Sequence, residues 1–517
     1  MTSLTHPLRL AEAVGVLSLA TDLAMGEPRE HGLRTAVLAV RTAQAMGLPE
    51  EDQVTVFYTG LLHFAGCTAE SEIDARFFGD ELVARPKLMT VAFGTRLDLA
   101  ATMTRAAHPE RSRLARVAVM TRSAFGGVAE FRKWAVSHCD VARVLGARMG
   151  FSEQIQLALR HLWERWDGQG MPGEVRGEQI PLAVRIMQVA QDADIAWQQG
   201  GTALANRILA KRAGSGLDPQ AVKTFLELGD GVYEGLGASS IWDDAMLAEP
   251  GPQPTVGEER LDACLSAMAD FADLKSMWTF GHSRGVAQLA EESAAQAGLA
   301  AADVQLLRRA ALVHDIGRVA VSVNVWIKPG PLTRDEHEQV RLHAYHSERV
   351  LDAAPGLRPL ARLAGSHGER CDGSGYHRGS RTGELPLTAW LLAAADCYHA
   401  MREPRAYRPA LSPVAAADEL SREADAGRLA PEAVKAVLIA AGQPPRPVRR
   451  PAGLSERECE VLALIARGLA TKQVARRLEI SPKTCDHHIQ RLYGKLGVST
   501  RAGATLFALE HGLVSSN

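Results

Sequence analysis

Apolar residues recur at three- and four-residue spacing through most of the chain, the period of a helix with one buried face. Leu261 to Lys275, Val286 to Ala297, Val304 to Val313 and Glu336 to Asp352 each carry it, and no run of strict alternation points to strands. Two breaks interrupt the pattern. Gly251-Pro-Gln-Pro-Thr-Val-Gly257 combines missing backbone donors with helix-stopping glycines. Gln443-Pro-Pro-Arg-Pro-Val-Arg-Arg-Pro-Ala-Gly453 has the extended character of a stiff linker. The breaks divide the 517 residues into 1–250, 256–442, the linker 443–453 and 454–517, with an all-α fold expected throughout.

Composition supports packed helices: 46% of residues are hydrophobic and only 5% aromatic. The whole chain carries a formal charge of −2, which excludes a general polyanion binder. From Gln443 onward, however, twelve Lys and Arg stand against six Asp and Glu, a basic tail that points to nucleic acid. The seven cysteines form no C-x-x-C pair, which argues against a disulfide framework or zinc knuckle and for a reducing compartment. Charged residues interrupt the N-terminal apolar runs, and no stretch reaches the roughly 18 apolar residues of a membrane span. A cytoplasmic protein without a membrane partner is expected.

Histidines and aspartates add a repeat to this picture. His282, His314-Asp315, His343, His367 and Asp396 fall at steps of 32, 29, 24 and 29. His31 and His63 are again 32 apart, and from His138 steps of 24 and 29 reach Leu162 and Gln191. Glu164-Arg-Trp-Asp-Gly-Gln-Gly170 parallels Glu369-Arg-Cys-Asp-Gly-Ser-Gly375. The misfit is the step from His63 to His138, 75 against 29, which an insertion of 46 residues explains. The spacing predicts a tandem duplication whose first copy has lost ligands to Phe64, Leu162 and Gln191, with Asp192 and Asp194 close enough in register to supply a carboxylate. The surviving His31, His63 and His138 read as structural.

Mixed imidazole and carboxylate ligands in a helical bundle suit a divalent transition metal, Fe, Mn, Zn or Co above calcium with Fe or Mn first, as one or two ions. Two close ions clamp a phosphate and activate a water. Any one of these histidines alone reads as an ordinary helix residue; together, on a repeated spacing, they read as a metal site.

His282-Ser-Arg284, Leu312-Val-His-Asp-Ile-Gly317, Lys328-Pro-Gly-Pro-Leu-Thr333, His343 and His367-Gly-Glu-Arg-Cys-Asp-Gly-Ser-Gly-Tyr376 resemble the HD-GYP subgroup of HD-domain phosphohydrolases. The resemblance implies a helical fold with a two- or three-metal centre that hydrolyses cyclic di-GMP. It implies His282, His314, Asp315, His343, His367 and Asp396 as metal ligands, and Asp315 and Arg318 as catalytic residues. The chain departs from the pattern at Gly368, where paired histidines lose their second member, and at Arg318, where a lysine is usual. It departs again at His377 in place of proline, and at Trp278, which offers no carboxylate. Gly368→His, at a glycine read as surface-facing, is expected to restore a ligand and raise turnover.

In the tail, Ser455-Glu-Arg-Glu458 is a capping box opening a helix that Gly468 stops. Thr471 to Leu478 forms a short second helix and Ser481-Pro482 starts a third through about Lys495. Leu454 to Leu462, Gly468 to Leu478, Ile480 to Thr484, Lys495 to Val498 and Arg501 resemble the LuxR-type helix-turn-helix, implying a fourth, dimer-forming helix from Arg501 to His511. Lys472, Lys483, Thr484, His487, Gln490, Arg491 and Lys495 are the candidates to meet DNA.

The sequence therefore predicts two HD-like helical bundles followed by a four-helix DNA-binding domain: a homodimeric transcription regulator whose second copy binds metal and hydrolyses or senses a cyclic dinucleotide. The alternative is a catalytically inactive pseudoenzyme that acts as sensor or interaction scaffold for the DNA-binding domain.

Overall fold

The computed structural model describes residues 7–28, 30–89, 132–444, 451–510 and 513. Among these, secondary structure is helical, with isolated backbone bridges such as Arg9 to Thr255 and no sheet. None of the described helices is long and apolar enough to cross a membrane. Backbone contacts gather the chain into two compact units. One comprises Met1–Gln288, Gln305–Gly365 and Glu403–Ala410; the other comprises Leu289–Val304, Ser366–Arg402 and Leu411–Asn517.

The helices read from the apolar period are present as Glu258–Asp273, His282–Gln296, Ala301–Val313 and Arg334–Asp352. They begin a few residues earlier than the period alone suggests, because their first turns are polar. Thr333 accepts the Glu336 N–H while Glu336 accepts the Thr333 N–H at 2.6 Å, a capping box on the same Ser/Thr-x-x-Glu spacing as Ser455 and Glu458. Lys328 pairs with the same Glu336 at 2.6 Å, which fixes the Lys328 to Thr333 approach to this helix.

In the first unit, Leu10–Met25 is mostly apolar and buried along almost its whole length. It packs against His31–Ala45 and Glu50–Leu62 of the first copy, and also against the Ile316–Ala320 turn and Glu258–Asp273 of the second. The Pro/Gly break between the copies is pinned to the start of this helix: the Leu10 N–H donates to the Pro254 carbonyl at 2.9 Å and the Val256 N–H to that of Leu8 at 2.7 Å.

The two copies share buried polar detail. Asp22 accepts the Gly32 N–H (3.1 Å) as Asp273 accepts the Ser283 N–H (2.9 Å), each beside the first histidine of its copy. Burial pushes both carboxyls up, Asp22 to about 7 and Asp273 to about 6. A Cβ on Gly66 would overlap the His138 carbonyl, and one on Gly317 that of His343, so the same close approach exists in both copies once the insertion is allowed for. Glu164 accepts the N–H groups of Gly173 and Glu174 (3.0 and 2.7 Å), as Glu369 accepts those of Arg378 and Ser380 (both 2.8 Å). The repeated Glu-Arg-x-Asp-Gly-x-Gly string is thus a loop built around a buried carboxylate.

In the second unit, Leu387–Arg402 packs with Pro413–Asp425 and Pro431–Ala440. Glu456–Ala466, Thr471–Arg477, Pro482–Leu496 and Arg501–Glu510 enclose a small core of Leu462, Ile465, Val474, Leu492 and Ala504. Ser455 and Glu458 form the expected capping box, and Gly497 ends the third helix in the left-handed conformation (φ 66°). Linker residues 445–450 and His511 lie outside the described residues.

Candidate metal centre and nucleic-acid interface

Two helix termini and one helix interior bring the second-copy groups together in the first unit. His282 is the first residue of its helix, His314 and Asp315 follow the end of Ala301–Val313, and His343 lies within Arg334–Asp352. All four are buried. Each imidazole spends Nδ1 on an acceptor that cannot donate. His314 donates to the Ala311 carbonyl at 2.7 Å, His343 to the Val340 carbonyl, and His282 to the Glu403 carboxylate at 2.9 Å. A neutral ring with its proton on Nδ1 presents a lone pair at Nε2. These Nε2 atoms face Asp315 at 3.7 Å (His282), 3.7 Å (His314) and 3.3 Å (His343).

Burial works against the Asp315 charge, yet Arg318 and the neighbouring histidines hold its carboxyl well below the usual carboxylate range. Arg318 donates to it at 2.6 Å. Ligand atoms of His282, His314 and Asp315 lie within 4.8 Å of one another, a span that an ion about 2.1 Å from each would bridge. Lone pairs converging on an ionised carboxylate fit a cation.

His367 and Asp396 belong to the second unit. His367 is buried, and Asp396 is half-buried on Leu387–Arg402. The Cys397 thiol next to Asp396 and the Asp396 charge both help to raise the Arg370 pKa. Gly368 corrects an expectation: it is buried, not surface-facing. A Cβ there would sit 2.7 Å from Cδ2 and 2.8 Å from Cζ of Tyr376, whose N–H donates to the Gly368 carbonyl at 3.0 Å. The tyrosine ring fills the space a second histidine would need.

Sequence reasoning missed three supports. Glu403, held by Arg405 at 2.8 Å, orients His282 from 121 residues away. Trp326 lies beneath the Arg318 guanidinium (4.0 Å to the ring centroid) and edge-on to His343 (5.8 Å between centroids). Asp273 anchors Ser283 by N–H and hydroxyl. No motif marks these contacts: Glu403 acts across 121 residues, and Trp326 and Asp273 act across turns whose geometry the apolar period does not show.

The first copy has filled its centre. Phe64 stands where Asp315 would be, 3.9 Å from the His63 ring and 5.6 Å from the His31 ring. Asp194, adjacent in register to Gln191, does reach His31 (2.6 Å), but Arg34 takes its other oxygen at 2.7 Å. His63 repeats the tether of His314, donating to the Gly60 carbonyl at 2.6 Å, whereas His138 spends Nε2 on the His63 carbonyl at 2.9 Å. Burial pushes His63 down to about 3 and His138 to about 4. Among the described residues, no metal-holding trio forms in this copy.

In the C-terminal domain, Lys483, Thr484, His487, Gln490 and Arg491 are exposed on one face of Pro482–Leu496, and Lys472 is exposed on the preceding helix. The spacing of the five, at i, i+1, i+4, i+7 and i+8, is that of one helical stripe. Lys495 differs. It pairs with Glu458 at 2.6 Å and donates to the Gly453 carbonyl at 2.9 Å, so its charge is matched within the domain.

The HD-domain family profile matches residues 128–220 and 266–432, and that of bacterial regulatory proteins of the luxR family matches 452–508. A 3'3'-cGAMP-specific phosphodiesterase of Vibrio cholerae serotype O1 is 30% identical over 407 residues, 78% of this chain and 88% of that protein. A cyclic di-GMP phosphodiesterase of Thermotoga maritima is 33% identical over 153 residues, 29% of this chain and 42% of that protein. The crystal structure of a cyclic GMP-AMP specific phosphodiesterase of V. cholerae is similar at a TM-score of 0.59 and 27% identity, covering 85% of this chain and 99% of that one.

Proposed function

From a chain that belongs to the HD-domain family and ends in a LuxR-type domain, we propose a metal-dependent phosphodiesterase that opens a cyclic dinucleotide and is coupled to DNA binding. The observation that carries it is the convergence of three Nδ1-tethered histidines on ionised Asp315. His282, His314, Asp315 and His343 would hold a divalent ion, Fe or Mn, with His367 and Asp396 the further ligands that the sequence motif supplies. Bound ions of this kind lower the pKa of water and neutralise phosphate charge. The chain's own residues orient these ligands. Glu403 fixes the His282 ring and Arg318 fixes the Asp315 carboxylate. Arg318 also keeps Nε buried with no hydrogen-bond partner among the described residues, a donor suited to a phosphate oxygen. The relatives' names favour 3'3'-cGAMP first and cyclic di-GMP second as substrate. The test is hydrolysis of each to the linear dinucleotide by the full chain with Fe(II) or Mn(II). Turnover of neither, with metal bound, would leave the ligand-sensing pseudoenzyme.

The LuxR-type domain is proposed to place Pro482–Leu496 in the major groove, as a homodimer. Exposed Leu506 on Arg501–Glu510 is an apolar contact available to a second copy. Lys483→Ala is expected to weaken binding to all sequences alike and to flatten the salt dependence by about one unit of slope, because a phosphate contact carries no base information. Fluorescence anisotropy on specific and random duplexes across salt checks it; a loss confined to one sequence would move Lys483 to base readout.

A further inference from the structure

We infer that the degenerate first copy sets the walls of the second copy's centre, through Glu72 and Glu81 of its long span between His63 and His138, as positioning residues. The inference rests on the metal-site reading above. Between His63 and His138, the span that is longer than its counterpart, the first copy forms Ser71–Phe78 and Glu81–Met89. This span is anchored by buried Arg85, which donates to Asp74 (2.8 Å) and to the carbonyls of Ala24 (2.7 Å) and Cys67 (2.8 Å). From this anchor two carboxylates reach into the second copy and make the same contact twice. Glu72 accepts the Met277 N–H at 2.8 Å and the Ser276 hydroxyl at 3.2 Å. Glu81 accepts the Val323 N–H at 2.8 Å and the Ser322 hydroxyl at 3.1 Å. Each therefore caps the start of a short helical turn, Met277–Thr279 or Val323–Trp326.

Each turn leads to a different side of the centre. The Met277–Thr279 turn presents the Trp278 carbonyl to Arg405, which holds Glu403 against His282. The Val323–Trp326 turn carries Trp326, which donates to the Arg318 carbonyl at 3.3 Å and packs on both the Arg318 guanidinium and the His343 ring. Lys275 joins the two paths: it pairs with Glu81 at 2.6 Å, both side chains fully buried, and donates to the Val319 carbonyl at 3.1 Å, in the turn after Asp315. Ligand-orienting groups at one remove from a metal typically affect affinity by about 10–100-fold. The same order is expected for contacts that seat those groups.

Hydrogen exchange on the metal-free full chain tests the placement first. Glu72→Gln, a mild change at a side chain only part buried, is expected to speed exchange around 276–283. Glu81→Gln is expected to do so around 316–326. Removing Glu81 alone strands Lys275, so Glu81→Leu/Lys275→Met removes both charges; such paired replacements preserve folding far better than breaking one partner. That double variant is expected to regain the wild-type melting temperature while 316–326 still exchanges fast. It is also expected to keep a shifted Co(II) absorption spectrum and roughly tenfold weaker Co(II) binding. Wild-type exchange at 316–326 in the double variant would reduce Glu81 to half of a charge pair and overturn the inference, and unchanged exchange in Glu72→Gln would remove the other wall. If wild type binds Co(II) but cleaves no cyclic dinucleotide, the phosphodiesterase reading fails while exchange and spectrum still decide this one.

Discussion

Asp315→Ala is expected to strip transition metal from the protein and to lower cyclic-dinucleotide hydrolysis by about a thousandfold or more, while His63→Ala leaves metal content near wild type. The asymmetry follows from what stands at the centre of each copy. In the second, three imidazoles aim Nε2 at one carboxylate within 3.3–3.7 Å, and removing it removes the only anion among these four groups. The several kcal/mol that a bound ion contributes to phosphodiester cleavage corresponds to at least that factor in rate. In the first copy, Phe64 occupies the equivalent place and Arg34 already neutralises Asp194, so the loss of one neutral, carbonyl-tethered ring changes packing and not ligation. Asp315→Ala also leaves Arg318 without its counter-ion, at a cost of about 3–5 kcal/mol for a buried pair broken on one side. Asp315→Asn, which keeps size and a hydrogen-bond acceptor, is therefore the companion variant: it should fold, and still bind little metal. Elemental analysis of the purified variants beside hydrolysis rates gives the answer. Equal metal loss from Asp315→Ala and His63→Ala would mean that both copies are centres.

The spacing of His282, His314, His343 and His367 was legible because helices of fixed length separate them, and duplication gave an internal check. Gly66 and Gly317 meeting the carbonyls of His138 and His343 place the 46-residue excess where the sequence put it. The exposed stripe of Lys483, Thr484, His487, Gln490 and Arg491 was legible for the same reason, since period alone decides which residues share a face. What did not show is everything that depends on distant segments meeting. Glu403 lies 121 residues from His282, and nothing near it in sequence distinguishes it from a solvated acid. Arg34, one turn after His31, looks like an ordinary helix arginine until Asp194 is seen beside it. Lys495 was counted with the DNA contacts by its charge, though Glu458 and the Gly453 carbonyl hold it. The long span between His63 and His138 showed only as a surplus in a spacing, with no hint that Glu72 and Glu81 point into the other copy.

Gly368→His illustrates the same limit and reverses its expected sign. From the family pattern a second histidine there would complete the ligand set, and a glycine on a helix surface would accept it without cost. Gly368 is instead buried under the Tyr376 ring, with a Cβ falling 2.7–2.8 Å from Cδ2 and Cζ. Forcing a side chain into such a packed contact costs about 1–3 kcal/mol, and the Tyr376 N–H bond to the Gly368 carbonyl limits how far the ring can retreat. The single variant is therefore expected to be less stable than wild type by that amount and no more active. Tyr376→Ala alone should also destabilise, by opening a cavity. The two together should be more stable than the sum of the singles by about 0.5–3 kcal/mol, the coupling of residues in direct contact. Urea unfolding of the four proteins in this cycle, beside metal content, separates the readings. An additive cycle in which Gly368→His alone raises turnover at wild-type stability would restore the view of Gly368 as a lost ligand. A coupled cycle, with metal gained only in the double variant, would show that Tyr376 and the absent histidine compete for one volume.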